Sequence, residues 1–279
     1  MGKNQLKQLY KNSVPCRSSC PADTDIPGYL EAIYNNDFNK AYEINFNDNF
    51  FPEILGRVCS RPCEDNCRHG ENENGESVSI CFSKRAAGKY SSSKKVKLKN
   101  KQKATGKNIL VIGGGVAGLA ASAELKRFGH DVTLYEKHSS LGGMLNQGIP
   151  IFRLPRELIE KEVKQITNLG IDVKLNKSIS SSAEIRKLSE KYDAVICAMG
   201  TLKPNILNNV FSNNQNVEDG LDFLLRVNEK NNHYIGKNVI VIGGGYTSMD
   251  CARTALRLGA KSVKTFYRRE QGELEILPG

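Results

Sequence analysis

Residues 107–137 read KNILVIGGGVAGLAASAELKRFGHDVTLYEK. A β-rich apolar run leads into Gly113, Gly115 and Gly118, in G-x-G-x-x-G spacing, and these open an apolar-periodic helix. Gly113 permits a tight turn, Gly115 lets the backbone approach a pyrophosphate, and Gly118 allows close helix–strand packing. The phosphates then face the positive end of the helix. Gly114, Val116 and Ala117 complete the loop. Glu136 ends the second strand, 18 residues after Gly118, where a carboxylate accepts hydrogen bonds from a ribose diol. A merely tight strand–helix turn would not require that acid, so the stretch is read as a dinucleotide site for FAD or NAD.

The same supersecondary unit recurs about 130 residues later, at 237–269, as KNVIVIGGGYTSMDCARTALRLGAKSVKTFYRR. Its loop carries Gly243, Gly244, Gly245, Tyr246 and Thr247, with Ser248 in the third glycine position. No acid ends its second strand; Arg268 and Arg269 stand there instead. A guanidinium fork matches the 2′-phosphate of NADPH, which a carboxylate would repel. The plain alternative is a solvated strand end. Working outward, strands are expected at 108–114, 131–136, 171–177, 193–200, 238–244 and 262–267. Helices are expected at 116–128, 155–168, 182–190, 220–228 and 246–258. Such alternation implies parallel sheets with helical crossovers. The fold class is α/β, with two Rossmann-like nucleotide-binding units of which the second is incomplete.

The chain has 279 residues, 39% of them hydrophobic, with no Trp. The mean hydropathy is −0.43. No run of 18 apolar residues occurs, and the first residues lack the apolar core of a secretory leader. A cytoplasmic protein without a membrane partner is expected. The net charge is +10, but residues 84–107 hold ten Lys/Arg and no Asp/Glu, which leaves 30 of each sign elsewhere. That segment has Tyr90 as its one aromatic, so a nucleic-acid surface is disfavoured. It reads as a solvated linker at 91–106, or as contact with an acidic patch on a partner.

Six of the eight cysteines, Cys16, Cys20, Cys59, Cys63, Cys67 and Cys81, fall in the first 81 residues. The helical signals there include Pro27 after Asp25, and no alternating strand pattern appears. An all-helical domain at 1–90 is expected. Without a leader, metal or redox use is a better reading than a disulfide framework. The spacings Cys16-x3-Cys20-Pro and Cys59-x3-Cys63-x3-Cys67 suit an iron–sulfur cluster better than zinc. Cys197 and Cys251, in apolar surroundings, are read as packed core thiols.

The motifs CPADTDIPGYL, GRVCSRPCEDNCRHG, VIGGGVAGLAAS, LGGMLNQGIPIFRLPREL and VIGGGYTSMDCARTALRLGA occur in that order. With them the chain resembles the NADPH-dependent glutamate synthase small (beta) subunit family, and is similar to the N-terminal part of dihydropyrimidine dehydrogenase. The resemblance covers nearly the whole chain. It implies that NADPH reduces FAD and that electrons pass through [4Fe-4S] centres to a large catalytic subunit or another electron-accepting protein. Glutamate synthesis is the family's best-known outcome. The resemblance assigns Gly113–Ala117 to the FAD pyrophosphate and Glu136 to its ribose. Met144 and Arg153 fall to the flavin, Gly244–Thr247 to the NADPH pyrophosphate, and Arg268 and Arg269 to the 2′-phosphate.

The chain also departs from the family. Two-cluster members carry a C-x2-C pair upstream of Cys16 that is absent here. A Gln ligand found in some members aligns with Lys84, a cation that cannot serve. At most one [4Fe-4S] cluster is expected, from four of Cys16, Cys20, Cys59, Cys63 and Cys67, with Cys81 off-pattern. Family members run well over a hundred residues further, so 107–205 is read as the FAD-binding domain and 206–279 as a partial NADPH-binding domain. Hydride transfer to a flavin needs positioning rather than an acid–base pair, so no catalytic side chain is named. The competing expectation is a non-catalytic iron–sulfur/FAD docking or electron-transfer module.

Overall fold

A computed structural model describes residues 14–71, 75–92, 102–201, 216–230 and 234–270. The basic segment proposed as a linker therefore lies mostly outside the described residues. The N-terminal zone is helical: α1 (Pro15–Ser18), α2 (Ile26–Tyr34), α3 (Phe38–Asp48), α4 (Pro52–Val58), α5 (Pro62–Asp65), α6 (Arg68–Glu71) and α7 (Ile80–Tyr90). Sequence explains where these helices start. Asp25 accepts the Gly28 N–H at 3.3 Å, Pro27 sits in the first turn of α2, and Asp37 accepts the Lys40 N–H at 2.9 Å. Helices α4 and α7 cross where each presents a glycine. A Cβ on Gly56 would lie 2.7 Å from the Arg85 nitrogen, and one on Gly88 would lie 2.6 Å from the Glu53 Cβ.

The strand–helix alternation then begins: β1 (Asn108–Ile112), α8 (Val116–Arg127), β2 (Asp131–Tyr135), α9 (Met144–Gln147), α10 (Arg156–Thr167), β3 (Asp172–Lys174), α11 (Ser182–Ser189), β4 (Ala194–Cys197), α12 (Gly220–Lys230), β5 (Asn238–Ile242), α13 (Tyr246–Arg257) and β6 (Ser262–Phe266). The first four strands form a parallel sheet in the order β3-β2-β1-β4, and β5 and β6 form a second parallel pair. The expected elements are all present, with strand ends trimmed. Most trimming falls on β3 and β4, the two edge strands, where one neighbour is missing.

Leu110 and Val111 of β1, Leu134 of β2, Leu119 and Ala123 of α8, and Ile159 and Ile166 of α10 are fully buried. Tyr42, Phe46, Phe50, Phe51 and Ile54 of the helical zone pack into the same core. A polar joint fixes this contact. Glu162 of α10, completely buried, accepts the N–H groups of Glu53 at 2.8 Å and Ile54 at 3.1 Å. These are amides of the first turn of α4 that have no intrahelical partner, so a carboxylate from the nucleotide unit caps a helix of the cysteine zone. Lys161 Nζ adds a 3.1 Å contact to Glu53 and a 3.2 Å bond to the Gly88 carbonyl. Among the described residues no helix is long and apolar enough to cross a membrane.

Candidate functional site

The first glycine loop links the end of β1 to α8. Gly113 has φ 110°, and a Cβ there would collide with the Ala198 carbonyl; a Cβ on Gly118 would collide with the Gly113 carbonyl. Both glycines are therefore obligatory for the turn. The N-terminus of α8 has no side-chain cap, and Val116 and Ala117 are exposed there, so its first amides are open to an anion. Glu136 is buried at the end of β2. Its Oε2 accepts the Gly114 N–H at 2.7 Å and its Oε1 accepts the His138 N–H at 2.9 Å. Each carboxylate oxygen keeps a lone pair for a ribose hydroxyl. Sequence-predicted Gly113–Gly118 and Glu136 thus come together, and the residues fit an adenosine pyrophosphate.

The loop after β2 is laced to this one. Gly142 donates to the Gly114 carbonyl at 2.8 Å, and Gly142 and Gly143 take φ values of 112° and 51°. Arg156 donates to the carbonyls of Leu145 at 2.9 Å and Ile149 at 3.0 Å, holding the loop from behind. Met144, 41% exposed, stands on the open side. Arg153 reaches toward the second nucleotide unit. Its Nη1 lies 3.2 Å from Asp250 Oδ2 of α13, and its guanidinium sits 5.7 Å from the Tyr246 ring centroid. It bridges the two nucleotide units.

The second loop repeats the first with changes. Gly243 has φ 129°, and a Cβ on Gly244 would collide with the Tyr267 ring, while Gly245 is open on all sides. Tyr246 and Thr247 are exposed at the uncapped start of α13. Arg268 and Arg269 are exposed just past β6, and Arg269 lies 5.8 Å over the Tyr267 ring. The arginine pair and the open amides thus flank the same turn, an arrangement that fits a phosphorylated dinucleotide.

All eight cysteines are free thiols. Five sequence-predicted ligands, Cys16, Cys20, Cys59, Cys63 and Cys67, are half-buried or buried on short helices and loops. Cys81, off-pattern by spacing, lies in the same zone. It is 1% exposed at the start of α7, in the field of Cys59 and Cys63. Helix packing, not local spacing, brings it there; the one sequence signal was its presence in the same cysteine-rich zone. The Cys81 contact, assisted by the charge of Lys84, lowers the Cys59 pKa to about 6 and lowers that of Cys63. Cys81 itself is pushed up, because its proton is shared with both neighbours. Cys16, raised by burial, lies in the field of Cys63 and Cys67. Among the described residues no trio of His, Cys, Asp and Glu forms a ready single-ion site. The donor set is nevertheless all sulfur, with Cys59 and Cys63 shifted toward thiolate, and chemically fits an iron–sulfur cluster.

Of the two cysteines read as core thiols, Cys251 is buried and its Sγ donates to the Gly220 carbonyl at 3.3 Å. Cys197 is a correction: it is exposed, because β4 is an edge strand whose outer residues lack cover.

Two glycine loops on parallel strands, each opening an uncapped helix, define a protein built on two nucleotide-binding units. The family model described as pyridine nucleotide-disulphide oxidoreductase matches residues 88–273, and the chain belongs to that family. A second model, dihydropyrimidine dehydrogenase domain II, 4Fe-4S cluster, matches residues 9–96. The chain is 34% identical to the glutamate synthase [NADPH] small chain of Azospirillum brasilense, over 96% of this chain and 58% of that one. It is 34% identical to the NADPH-Fe(3+) oxidoreductase subunit beta of Geobacter sulfurreducens, over 97% of this chain and 41% of that one. The chain thus spans about half the length of these curated relatives. FprA from Mycobacterium tuberculosis shares the fold, with a TM-score of 0.53 at 20% identity over 61% of this chain and 45% of that one.

Proposed function

We propose that the chain is the NADPH-oxidising, FAD- and iron–sulfur-containing electron-transfer part of a larger oxidoreductase, of the glutamate synthase small-subunit type. The observation that carries this reading is Glu136. A buried carboxylate clamped to the pyrophosphate loop through Gly114 suits an FAD ribose, while the second unit offers Arg268 and Arg269 where NADPH carries its 2′-phosphate. When bound, these groups supply hydride acceptance and one-electron release. The chain's own residues orient them. The open amides at the starts of α8 and α13 take the pyrophosphates, Met144 lines the open side of the first site, and the cysteine group would hold a single [4Fe-4S] cluster.

The electron acceptor in this reading is a large catalytic subunit or another electron-accepting protein, in the cytoplasm. The domains are proposed as 1–90 for the cluster, 91–106 as linker, 107–205 for FAD and 206–279 for NADPH. A second reading, a non-catalytic docking or electron-transfer module, is favoured by one observation: the two-stranded second sheet leaves Ile240, Ile242 and Phe266 exposed.

The test is anaerobic purification, an absorption spectrum with flavin, iron and sulfide analysis, and steady-state NADPH oxidation with an artificial electron acceptor. Bound flavin, iron and turnover support the enzyme. Bound cofactors without turnover support the module. Stoichiometric zinc without sulfide or flavin overturns both.

A further inference from the structure

We propose that Glu162 is a positioning residue. By holding the first turn of α4 against α10, its carboxyl group sets the place of the cysteine zone relative to the first nucleotide unit, and with it the rate of electron transfer between the two. The electron-transfer half rests on the function proposed above.

One helix touches both sides. Toward the nucleotide loop, Arg156 at the start of α10 holds the Leu145 and Ile149 carbonyls, and Ile159 packs under Gly142, where a Cβ would lie 3.2 Å from Ile159 Cγ2. Gly142 in turn donates to the Gly114 carbonyl of the first glycine turn. Three residues after Ile159, and so on the same side of the helix, Glu162 takes the Glu53 and Ile54 N–H groups, one on each oxygen. Helix α4 then runs on to Val58. Cys59 follows as its C-terminal cap, its N–H donating to the Leu55 carbonyl at 3.0 Å. The path from the glycine turn to Cys59 therefore passes through one loop, two helices and one carboxyl group.

The chemistry of this joint asks for a carboxyl group. Two N–H donors need two acceptor oxygens; an amide supplies one and would turn its NH2 toward the other donor. Apolar packing is non-directional and would hold the zones together without fixing their register. Two hydrogen bonds to one planar group fix a direction. The flanking contacts support this group: the Tyr42 hydroxyl lies 3.3 Å from Glu162 Oε1, and Lys161 Nζ lies 3.1 Å from Glu53 Oε2 and 3.2 Å from the Gly88 carbonyl. A misplacement of about 1 Å between reacting centres costs up to roughly a hundredfold in rate, so a joint this close to Cys59 bears on rate as well as on stability.

The experiment compares the anaerobically purified full chain with Glu162→Gln, Glu162→Asp and, as a control on the exposed face of α10, Glu160→Gln. The first readout is hydrogen exchange of α4 peptides by mass spectrometry. The second is light-driven reduction of the flavin with EDTA as electron donor, the reduced iron–sulfur centre being followed by rapid-freeze electron paramagnetic resonance. Flavin, iron and sulfide per chain are measured alongside. In Glu162→Gln the α4 amides are expected to exchange roughly tenfold to a hundredfold faster. Flavin reduction is expected to keep its wild-type rate while the iron–sulfur signal appears roughly tenfold later. Glu162→Asp, which keeps both acceptor oxygens on a shorter arm, should fall between, and Glu160→Gln should match the wild type. Faster exchange with an unchanged signal rate would reduce Glu162 to a structural cap and overturn the proposal, as would wild-type values of both. Should Glu162→Gln lose its cofactors, Glu162→Asp decides: a slowed signal supports the proposal and a wild-type rate overturns it. A wild-type chain without flavin or iron overturns the function underneath, and the exchange of α4 then decides the joint alone.

Discussion

Arg153 and Asp250 form an ion pair across the two nucleotide units, with Nη1 3.2 Å from Oδ2. Asp250 is buried on α13, and Arg153 leaves the loop that packs on the first glycine turn. The contact is reinforced nearby: Arg253 and Arg257 lie 4.8 and 3.9 Å over the Phe152 ring. The junction between the units is thus held by one buried carboxylate, one aromatic ring and three guanidinium groups. Asp250→Ala removes the partner of a partly buried charge, which costs about 2–4 kcal/mol. It is expected to lower the thermal midpoint and to lower kcat/KM for NADPH oxidation, with flavin content unchanged. Unchanged values of both would show that the pair does not orient the units.

The Glu162 cap predicts a pH-dependent stability. Burial pushes the Glu162 pKa up to about 7, against the opposing pull of the N–H groups of Glu53 and Ile54. The Tyr42 hydroxyl, a donor 2.6 Å from Gln165 Oε1 and 3.3 Å from Glu162 Oε1, pulls the same way as those N–H groups. A folded pKa above the ordinary value of 4.5 means that the native state binds the proton more tightly. Its contribution is therefore complete below about pH 4.5 and is lost as pH rises through 7, a change of about 3 kcal/mol. Urea unfolding at pH 5 and 8 measures it. Glu162→Gln is expected to flatten that difference, and an equal slope in both proteins would locate the titration elsewhere.

Both nucleotide loops were legible because strand, glycine turn and helix follow one another within a dozen residues, and local physics dictates them. Glu136 was legible because a strand end is a fixed distance from the turn. Contacts made by packing were not. Cys81 comes into the field of Cys59 only when α7 crosses α4, and Arg153 meets Asp250 only when the two units come together. Cys197 was misread for the same reason: an apolar strand sequence does not reveal whether the strand lies at a sheet edge.

Arg268 gives a cofactor-preference prediction. A charge-assisted contact to a 2′-phosphate is worth about 1.5–3 kcal/mol, or roughly tenfold to over a hundredfold in affinity. Arg268→Ala should lower the NADPH/NADH ratio of kcat/KM by that factor and leave NADH use nearly unchanged. Equal losses with both nucleotides would reassign Arg268 to general phosphate attraction or folding.

Lys84 should tune the cluster. Removing a buried positive charge disfavours the more negative, reduced state, so Lys84→Met is expected to lower the midpoint potential by on the order of 50–100 mV. A redox titration followed by absorbance or paramagnetic resonance reads the shift directly. An unchanged or raised potential would mean that the ammonium is screened from the iron.

The second sheet makes the last prediction. Alternate residues of β5 face opposite ways: Val239 and Val241 pack on α12 and α13, while Ile240 and Ile242 are 64% and 57% exposed. Phe266 pairs in register with Ile242 and is 56% exposed, so the two form a contiguous apolar strip. Parallel sheets are normally covered on both faces, and an uncovered face invites association. Among the described residues no helix lies over this strip. Ile242→Thr combined with Phe266→Thr keeps strand-forming β-branched residues and removes most of the apolar surface. The pair of substitutions is expected to raise the monomeric fraction in a light-scattering concentration series and to reduce binding of a hydrophobic dye. Unaltered association would mean that the strip is already covered in solution, and the explanation for any self-association would then have to be sought on another face.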